Sequence, residues 1–101
     1  MKHTSEKYIE RRLVDQINSL GGMCIKLLSD YMVGLPDRMC LLPGGRIYFV
    51  ELKSTGKKPR RIQSYIHAVI RGLGFPVLVI DSEEGVEDLI SHLKGGTHGQ
   101  E

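Results

Sequence analysis

The sequence predicts an α/β fold, a mixed β-sheet flanked by helices in the element order αβββαβα. Three observations predict it: apolar residues recur at helical spacing in three stretches, short apolar runs rich in β-branched residues lie between them, and glycine or proline separates the runs. A chain of 101 residues can bury one core. We therefore expect a single domain over residues 1–94 and a flexible polar tail over residues 95–101.

The predicted elements follow the apolar spacing in chain order. Gly21-Gly22 ends the first helical pattern, and the turn Pro43-Gly44-Gly45 joins the second and third strands into a hairpin. The connection from the third strand through the second helix is long enough for a parallel crossover to the last strand. The expected elements are a helix over 5–20, strands over 23–28, 38–42 and 46–52, a helix over 62–73, a strand over 76–80 and a last helix capped within 81–84.

Composition excludes several classes of protein. Apolar residues make up 41% and charged residues 26% of the chain, as in ordinary globular domains. No apolar run approaches the ~20 residues of a membrane span, and the N-terminus lacks the apolar stretch of a signal peptide, so we expect a cytoplasmic protein without a membrane partner. Cys24 and Cys40 lack zinc or redox spacing and are interpreted as core residues. We assign no metal to any of the histidines, which are His3, His67, His92 and His98.

Two acidic residues are expected to meet at one end of the hairpin. Alternation along the third strand places Glu51 and Lys53 on one side, where they could also be a solvated pair at a strand end. Asp37, after Gly34-Leu35-Pro36, lies at the start of the neighbouring strand. Paired carboxylates repel, which favours a raised pKa or a cation between them. Oxygen ligands of this kind suit magnesium or manganese.

The first helix offers a third acid. Glu10 falls inside the apolar stripe of the helix, where a carboxylate needs a cation or a hydrogen-bonded partner. Glu6 lies one turn earlier on the same face and competes with Glu10, although the helix dipole alone explains an acid in the first turn. The sequence leaves the choice between them open.

These residues, in this order, resemble a known family. The set of Glu10, Gly34-x-Pro36-Asp37-Arg38, Val50-Glu51-Leu52-Lys53 and Gln63 resembles the VRR-NUC family, a branch of the PD-(D/E)XK nucleases, and the likeness runs from about Glu6 to Leu93. The resemblance implies a restriction-endonuclease-like fold and Mg²⁺- or Mn²⁺-dependent hydrolysis of DNA. It implies that Asp37, Glu51 and the backbone carbonyl of Leu52 hold the metal, that Lys53 orients or deprotonates the attacking water, that Glu10 completes the acidic pocket and that Gln63 positions a ligand or phosphate.

The resemblance also implies a substrate. The chain is similar to short stand-alone members of phage or bacterial type, which implies a homodimer acting on branched DNA such as four-way (Holliday) junctions in a bacterial or phage-infected cell. The basic residues Lys57, Lys58, Arg60 and Arg61 are interpreted as a phosphate-binding track, although such a run is often only a solvated surface. Tyr31 and Met32 could contact DNA or a second copy, and Tyr65 could stack on a base or pack.

A DNA nuclease with less selectivity for branched structures is one alternative to the structure-selective nuclease, and two other functions also compete with it. One is a nucleic-acid-binding protein with a vestigial metal pocket, although Asp37, Glu51 and Lys53 are all present. The other is a sequence-specific restriction enzyme, for which the chain has little spare length for base-reading loops. Metal-dependent cleavage that disappears in Glu51→Ala separates the nuclease from the binding protein.

Overall fold

The elements of the structure, a computed structural model, follow the predicted order αβββαβα. The backbone is described for residues 4–98 and the side chains for residues 4–95. The elements are helix α1 Glu6–Ser19, strands β1 Met23–Lys26, β2 Arg38–Leu42 and β3 Arg46–Leu52, helix α2 Arg61–Gly72, strand β4 Val77–Ile80 and helix α3 Glu83–His98. Among the described residues, no helix is long and apolar enough to cross a membrane.

The four strands form one mixed sheet with the order β1-β2-β3-β4. Strand β2 pairs antiparallel with β1 and with β3, and β3 pairs parallel with β4. The predicted hairpin, the parallel crossover and the mixed sheet are therefore confirmed. Strand β3 pairs on both of its edges, with β2 along residues 46–50 and with β4 along residues 49–52.

The two faces of the sheet are covered by different helices. Alternation along β3 turns Val50 and Leu52 into the main core, where they are 0% and 1% exposed. Helices α1 and α3 cover that face and contribute most of the remaining core side chains, which are Ile9, Leu13, Ile17, Val86, Leu89, Ile90 and Leu93. Glu51 points to the opposite face, which α2 covers with the buried side chains of Gln63 and His67.

The loop between β1 and β2 lies directly on α2. Gly34 is buried there with a φ of +97°, and a Cβ at this position would be 2.8 Å from Cγ1 of Ile66 and 2.9 Å from the carbonyl oxygen of Ile62. Only glycine fits such a close approach without strain. Asp37 is the residue before β2, and its backbone carbonyl accepts a hydrogen bond from the Leu27 amide at 2.8 Å. This bond fixes the backbone of Asp37 beside β1.

Two predicted boundaries differ from the structure by more than one residue. Strand β1 ends at Lys26 rather than at residue 28, because beyond Leu27 the chain leaves the sheet to reach α2. Helix α3 continues to His98, so the first four residues of the predicted tail, 95–98, are helical. Glycine at the end of a helix costs only about 1 kcal/mol relative to alanine, which the preceding turns offset. Residues 99–101 lie outside the described residues.

Candidate active site

Asp37, Glu51 and Lys53 meet at the end of the hairpin where β2 begins and β3 ends. Oδ2 of Asp37 accepts a hydrogen bond from the Leu52 backbone amide at 2.7 Å. Nζ of Lys53 lies 3.2 Å from Oε2 of Glu51. The pairing of β2 with β3 thus brings the Asp37 carboxylate to Glu51 and Lys53, which lie 14 and 16 positions later in the sequence.

Glu51 is a buried carboxylate, 1% exposed, and not the solvated strand-end residue of the alternative interpretation. Its Oε2 accepts a hydrogen bond from Nε2 of Gln63 at 2.8 Å. The amide of Gln63 is oriented in turn, because its Oε1 accepts from the backbone N–H of Arg60 at 2.8 Å. The other oxygen of Glu51, Oε1, is buried without a hydrogen-bond partner in the described part of the chain.

Burial and like charge together disfavour ionisation in this pocket. Burial, and next the nearby Asp37, raise the pKa of Glu51 above its ordinary value, and Lys53 only partly offsets them. The pKa of Glu6, in the first turn of α1, is also raised by burial and by Asp37. A bound cation would relieve the mutual repulsion of these three carboxylates. Among the described residues, no group of three or more His, Cys, Asp and Glu side chains is already arranged to hold a metal ion.

The two acids of α1 have different surroundings. Oε2 of Glu10 accepts hydrogen bonds from Arg38, whose Nε and Nη2 both lie at 2.9 Å, and Nζ of Lys26 lies 3.8 Å away. The expectation that Glu10 meets a cation is confirmed. Because its carboxylate is paired with Arg38, Glu10 is less free to complete the acidic pocket as the family resemblance implied. Glu6, by contrast, interacts electrostatically with Asp37, Glu51 and Lys53. The N-cap hydroxyl of Ser5, which accepts from the Tyr8 amide, fixes the start of the helix beside this pocket.

His67 also lies at the site, and the sequence analysis missed it. It is 1% exposed, and its Nε2 lies 3.6 Å from Oε1 of Glu51. Burial, and next Arg71, lower the pKa of His67, which favours the neutral form of the imidazole. The spacing from Gln63 to His67, one turn of α2, was a signal that both face Glu51. His92 is exposed and packs edge-on against Tyr48, whereas His3 and the side chain of His98 lie outside the described residues.

The predicted basic track lies on the surface. Its residues are all exposed and occupy the loop after Lys53 and the start of α2. They are Lys57, Lys58, Arg60 and Arg61. Tyr31 is 98% exposed, Met32 50% and Tyr65 63%. All three side chains are available to a partner on the outside of the β1–β2 loop and of α2.

Comparison with known proteins places this arrangement in a class of nucleases. No family model matches the chain. A protein of Acyrthosiphon pisum secondary endosymbiont phage 1, named "Putative nuclease p44", is 40% identical over 84 residues, which cover 83% of this chain and 90% of that protein. A solved structure described as a VRR_NUC domain superposes with a TM-score of 0.82 at 34% identity, over 88% of this chain and 97% of that one. The chain therefore belongs to the VRR-NUC family, as its sequence motifs predicted.

Proposed function

We propose that this VRR-NUC nuclease is a divalent-metal-dependent endonuclease that hydrolyses phosphodiester bonds in DNA, with Asp37, Glu51 and Lys53 as its central residues. The main observation in support is that Glu51, a buried carboxylate, lies beside Asp37 and within 3.2 Å of the Lys53 ammonium. A buried acid beside another acid lowers stability, and such arrangements are typical of functional sites. Among the described residues, Glu51 is the one acid that is almost completely buried.

The carboxylates of the pocket fit a hard divalent cation, Mg²⁺ or Mn²⁺. The unpaired Oε1 of Glu51, the side chain of Asp37 and the backbone carbonyl of Leu52 are the proposed ligands. Glu6 is the better candidate than Glu10 for the third acid, because Arg38 already holds Glu10. The metal would polarise the phosphoryl oxygens and make water more nucleophilic at neutral pH.

Lys53 and Gln63 have supporting roles in the proposed reaction. The Lys53 ammonium, whose side chain is 17% exposed, is in place to orient the attacking water and to offset negative charge that develops on the phosphate. Gln63 donates to Glu51 and thereby orients it, which is a more specific role than the ligand or phosphate contact that the family resemblance implied. Both residues lie on the side of the sheet that α2 covers.

The exposed basic loop suits a DNA backbone. Lys57 and Lys58 precede α2, and Arg60 and Arg61 begin it, so a phosphate chain that follows them reaches the helix whose Gln63 contacts Glu51. Such contacts bind DNA without reading its sequence. We therefore expect binding that weakens steeply with salt and depends little on sequence.

An apolar face of α2 supports a homodimer. Tyr65, Val69 and Leu73 recur at intervals of four residues and are 63%, 44% and 72% exposed. Val33 of the β1–β2 loop, 61% exposed, precedes Gly34, which lies on the same helix. An exposed apolar stripe of this length is typical of an interaction surface, and two copies of one helix face can pack about a two-fold axis. A two-fold dimer presents two active sites to the two-fold geometry of a four-way junction.

Gel-resolved cleavage tests the proposal. A labelled four-way junction, a flap and a linear duplex are incubated with the protein and Mg²⁺, Mn²⁺ or EDTA, beside Glu51→Ala and the surface control Glu84→Ala. We expect metal-dependent cuts placed symmetrically in the junction, none with Glu51→Ala and normal cutting with Glu84→Ala.

Other outcomes point to the rival functions. DNA retention without cleavage under either metal would indicate a nucleic-acid-binding protein with a vestigial pocket. Cuts at one fixed sequence of linear duplex would indicate a restriction enzyme. Equal cutting of all three substrates would retain the nuclease and remove the selectivity for branched DNA.

A further inference from the structure

His67 and Glu51 face each other beneath α2, and each has one polar atom without a hydrogen bond. Nε2 of His67 lies 3.6 Å from Oε1 of Glu51, and both side chains are almost completely buried. Within the described chain neither atom has a hydrogen-bond partner. Buried polar groups are nearly always hydrogen-bonded, because an unpaired one loses its interaction with water without compensation.

We propose that His67 is a positioning residue that donates its Nε2–H to Oε1 of Glu51. A shift of about 0.6–0.7 Å brings the two atoms to the ~2.9–3.0 Å of an N–H···O hydrogen bond. The bond satisfies both unpaired atoms at once.

Together with Gln63, this contact fixes the plane of the carboxylate. Gln63 donates to Oε2 at 2.8 Å and Lys53 lies 3.2 Å from the same oxygen, so both contacts hold one edge of the carboxylate and leave its plane free to tilt about that edge. A second donor on Oε1 removes that freedom. Because Gln63 and His67 are one turn apart on α2, a single helix face orients both oxygens of Glu51.

The role in the reaction rests on the proposed function, in which Glu51 holds the metal. An oxygen with a hydrogen bond from His67 keeps a second lone pair for the metal, and carboxylates that bind metals are commonly supported by such outer hydrogen bonds. A simple packing role predicts something different, since a phenyl ring of similar size would then serve as well as the imidazole.

Metal binding in the absence of DNA separates positioning from packing. His67→Phe keeps a ring but removes the donor, His67→Gln keeps a donor of similar reach, and His92→Phe is the matched control on the surface. Calorimetric titration with Mn²⁺ should show affinity lowered by about 10–100-fold in His67→Phe, largely restored in His67→Gln and unchanged in His92→Phe. Native-like affinity in His67→Phe, or equal losses in both His67 variants, would overturn the proposal.

A second measurement detects the hydrogen bond directly, in the native protein without a substitution at His67. Long-range ¹H–¹⁵N spectra of the metal-free protein should show His67 as the Nε2–H tautomer, with a resonance that shifts in Glu51→Gln. The Nδ1–H tautomer, or a resonance unaffected by Glu51→Gln, would contradict the contact. Absence of both Mn²⁺ binding and DNA cleavage would instead contradict the proposed function, and the tautomer would still decide the contact.

Discussion

At the scale of single residues, the environment of each carboxylate decides its role. Glu6 and Glu10 lie one turn apart on α1, yet Glu10 is paired with Arg38 whereas Glu6 interacts with Asp37 and Lys53. A helical wheel gives their shared face, but it does not give the rotation of the helix against the hairpin. For that reason the sequence left the choice open, and the charges around each acid favour Glu6.

Substituting each of the two acids should separate catalysis from stability. We expect Glu6→Gln to lower the cleavage rate at least about 100-fold and to change stability little. A group that only supports a metal ligand would lower activity by ~10–100-fold. Glu10→Gln should lower the free energy of unfolding by about 1–3 kcal/mol, because Arg38 would lose its charged partner, and should still cleave. Urea unfolding and single-turnover cleavage check both variants, and the reverse pattern would restore Glu10 as the third acid.

The raised pKa of Glu51 predicts a gain in stability when its charge is removed. The folded state binds the Glu51 proton more tightly than the unfolded state does. The contribution of this residue to stability is therefore fully present at low pH and is lost as pH rises through the folded-state pKa. Glu51→Gln imitates the protonated form. In EDTA at pH 7 its Tm should exceed that of the native protein by several degrees, since ~1 kcal/mol moves the Tm of such a domain by about 4–8 °C. The difference should shrink near pH 4, and a lower Tm at pH 7 would contradict the burial argument.

Residue identities were predictable where strand geometry fixes them. Alternation along β3 and the adjacent start of β2 were enough to predict that Asp37, Glu51 and Lys53 come together at one end of the hairpin. His67 was missed because a lone histidine in a helix has no spacing typical of metal ligands. Its importance depends on which face of α2 covers Glu51, and that face follows from the packing of the helix on the sheet.

At the scale of elements, the close approach of the β1–β2 loop to α2 joins the two halves of the site. Asp37 follows this loop, and Gln63 and His67 lie on the helix beneath it. Gly34 makes the approach possible, since a side chain there would clash with Ile66 and with the backbone of Ile62. The order and type of every element could be predicted from apolar spacing, but this contact could not, because it joins segments that are distant in the sequence.

Adding a methyl group at Gly34 tests that contact. Gly34→Ala and Gly44→Ala both place alanine at positive φ, +97° and +85°. The new Cβ would clash with α2 at position 34, whereas at position 44 no heavy atom lies within 4 Å of it. The backbone conformation alone costs about 1–2 kcal/mol in each, and the clash at Gly34 should add about 1–3 kcal/mol. Urea denaturation measures the difference, and we expect Gly34→Ala also to lose cleavage. Equal destabilisation of the two variants would show that the loop does not depend on contact with α2.

At the scale of the whole molecule, the exposed apolar face of α2 predicts self-association. Val69 lies at its centre between Tyr65 and Leu73, so Val69→Glu should place a charge against its symmetry mate and shift a dimer to monomer in sedimentation velocity. Met23→Glu, at a 58% exposed position on strand β1 at the far edge of the sheet, is the matched control and should leave the dimer intact. A native protein that stays monomeric at all concentrations would contradict the proposed dimer. From the sequence, a homodimer is expected only through the family resemblance, since one chain does not show its partner.

In the proposed function, this molecule cuts DNA with a metal held at Glu51 and Asp37. The most direct test is the cleavage rate of a labelled four-way junction as Mn²⁺ is varied, for the native protein and for Glu51→Gln, which is expected to be the more stable of the two. We predict saturable, metal-dependent cleavage by the native protein and none by the variant, so that unfolding cannot explain the loss. Cleavage by Glu51→Gln at the native rate, or by the native protein in EDTA, would contradict the claim.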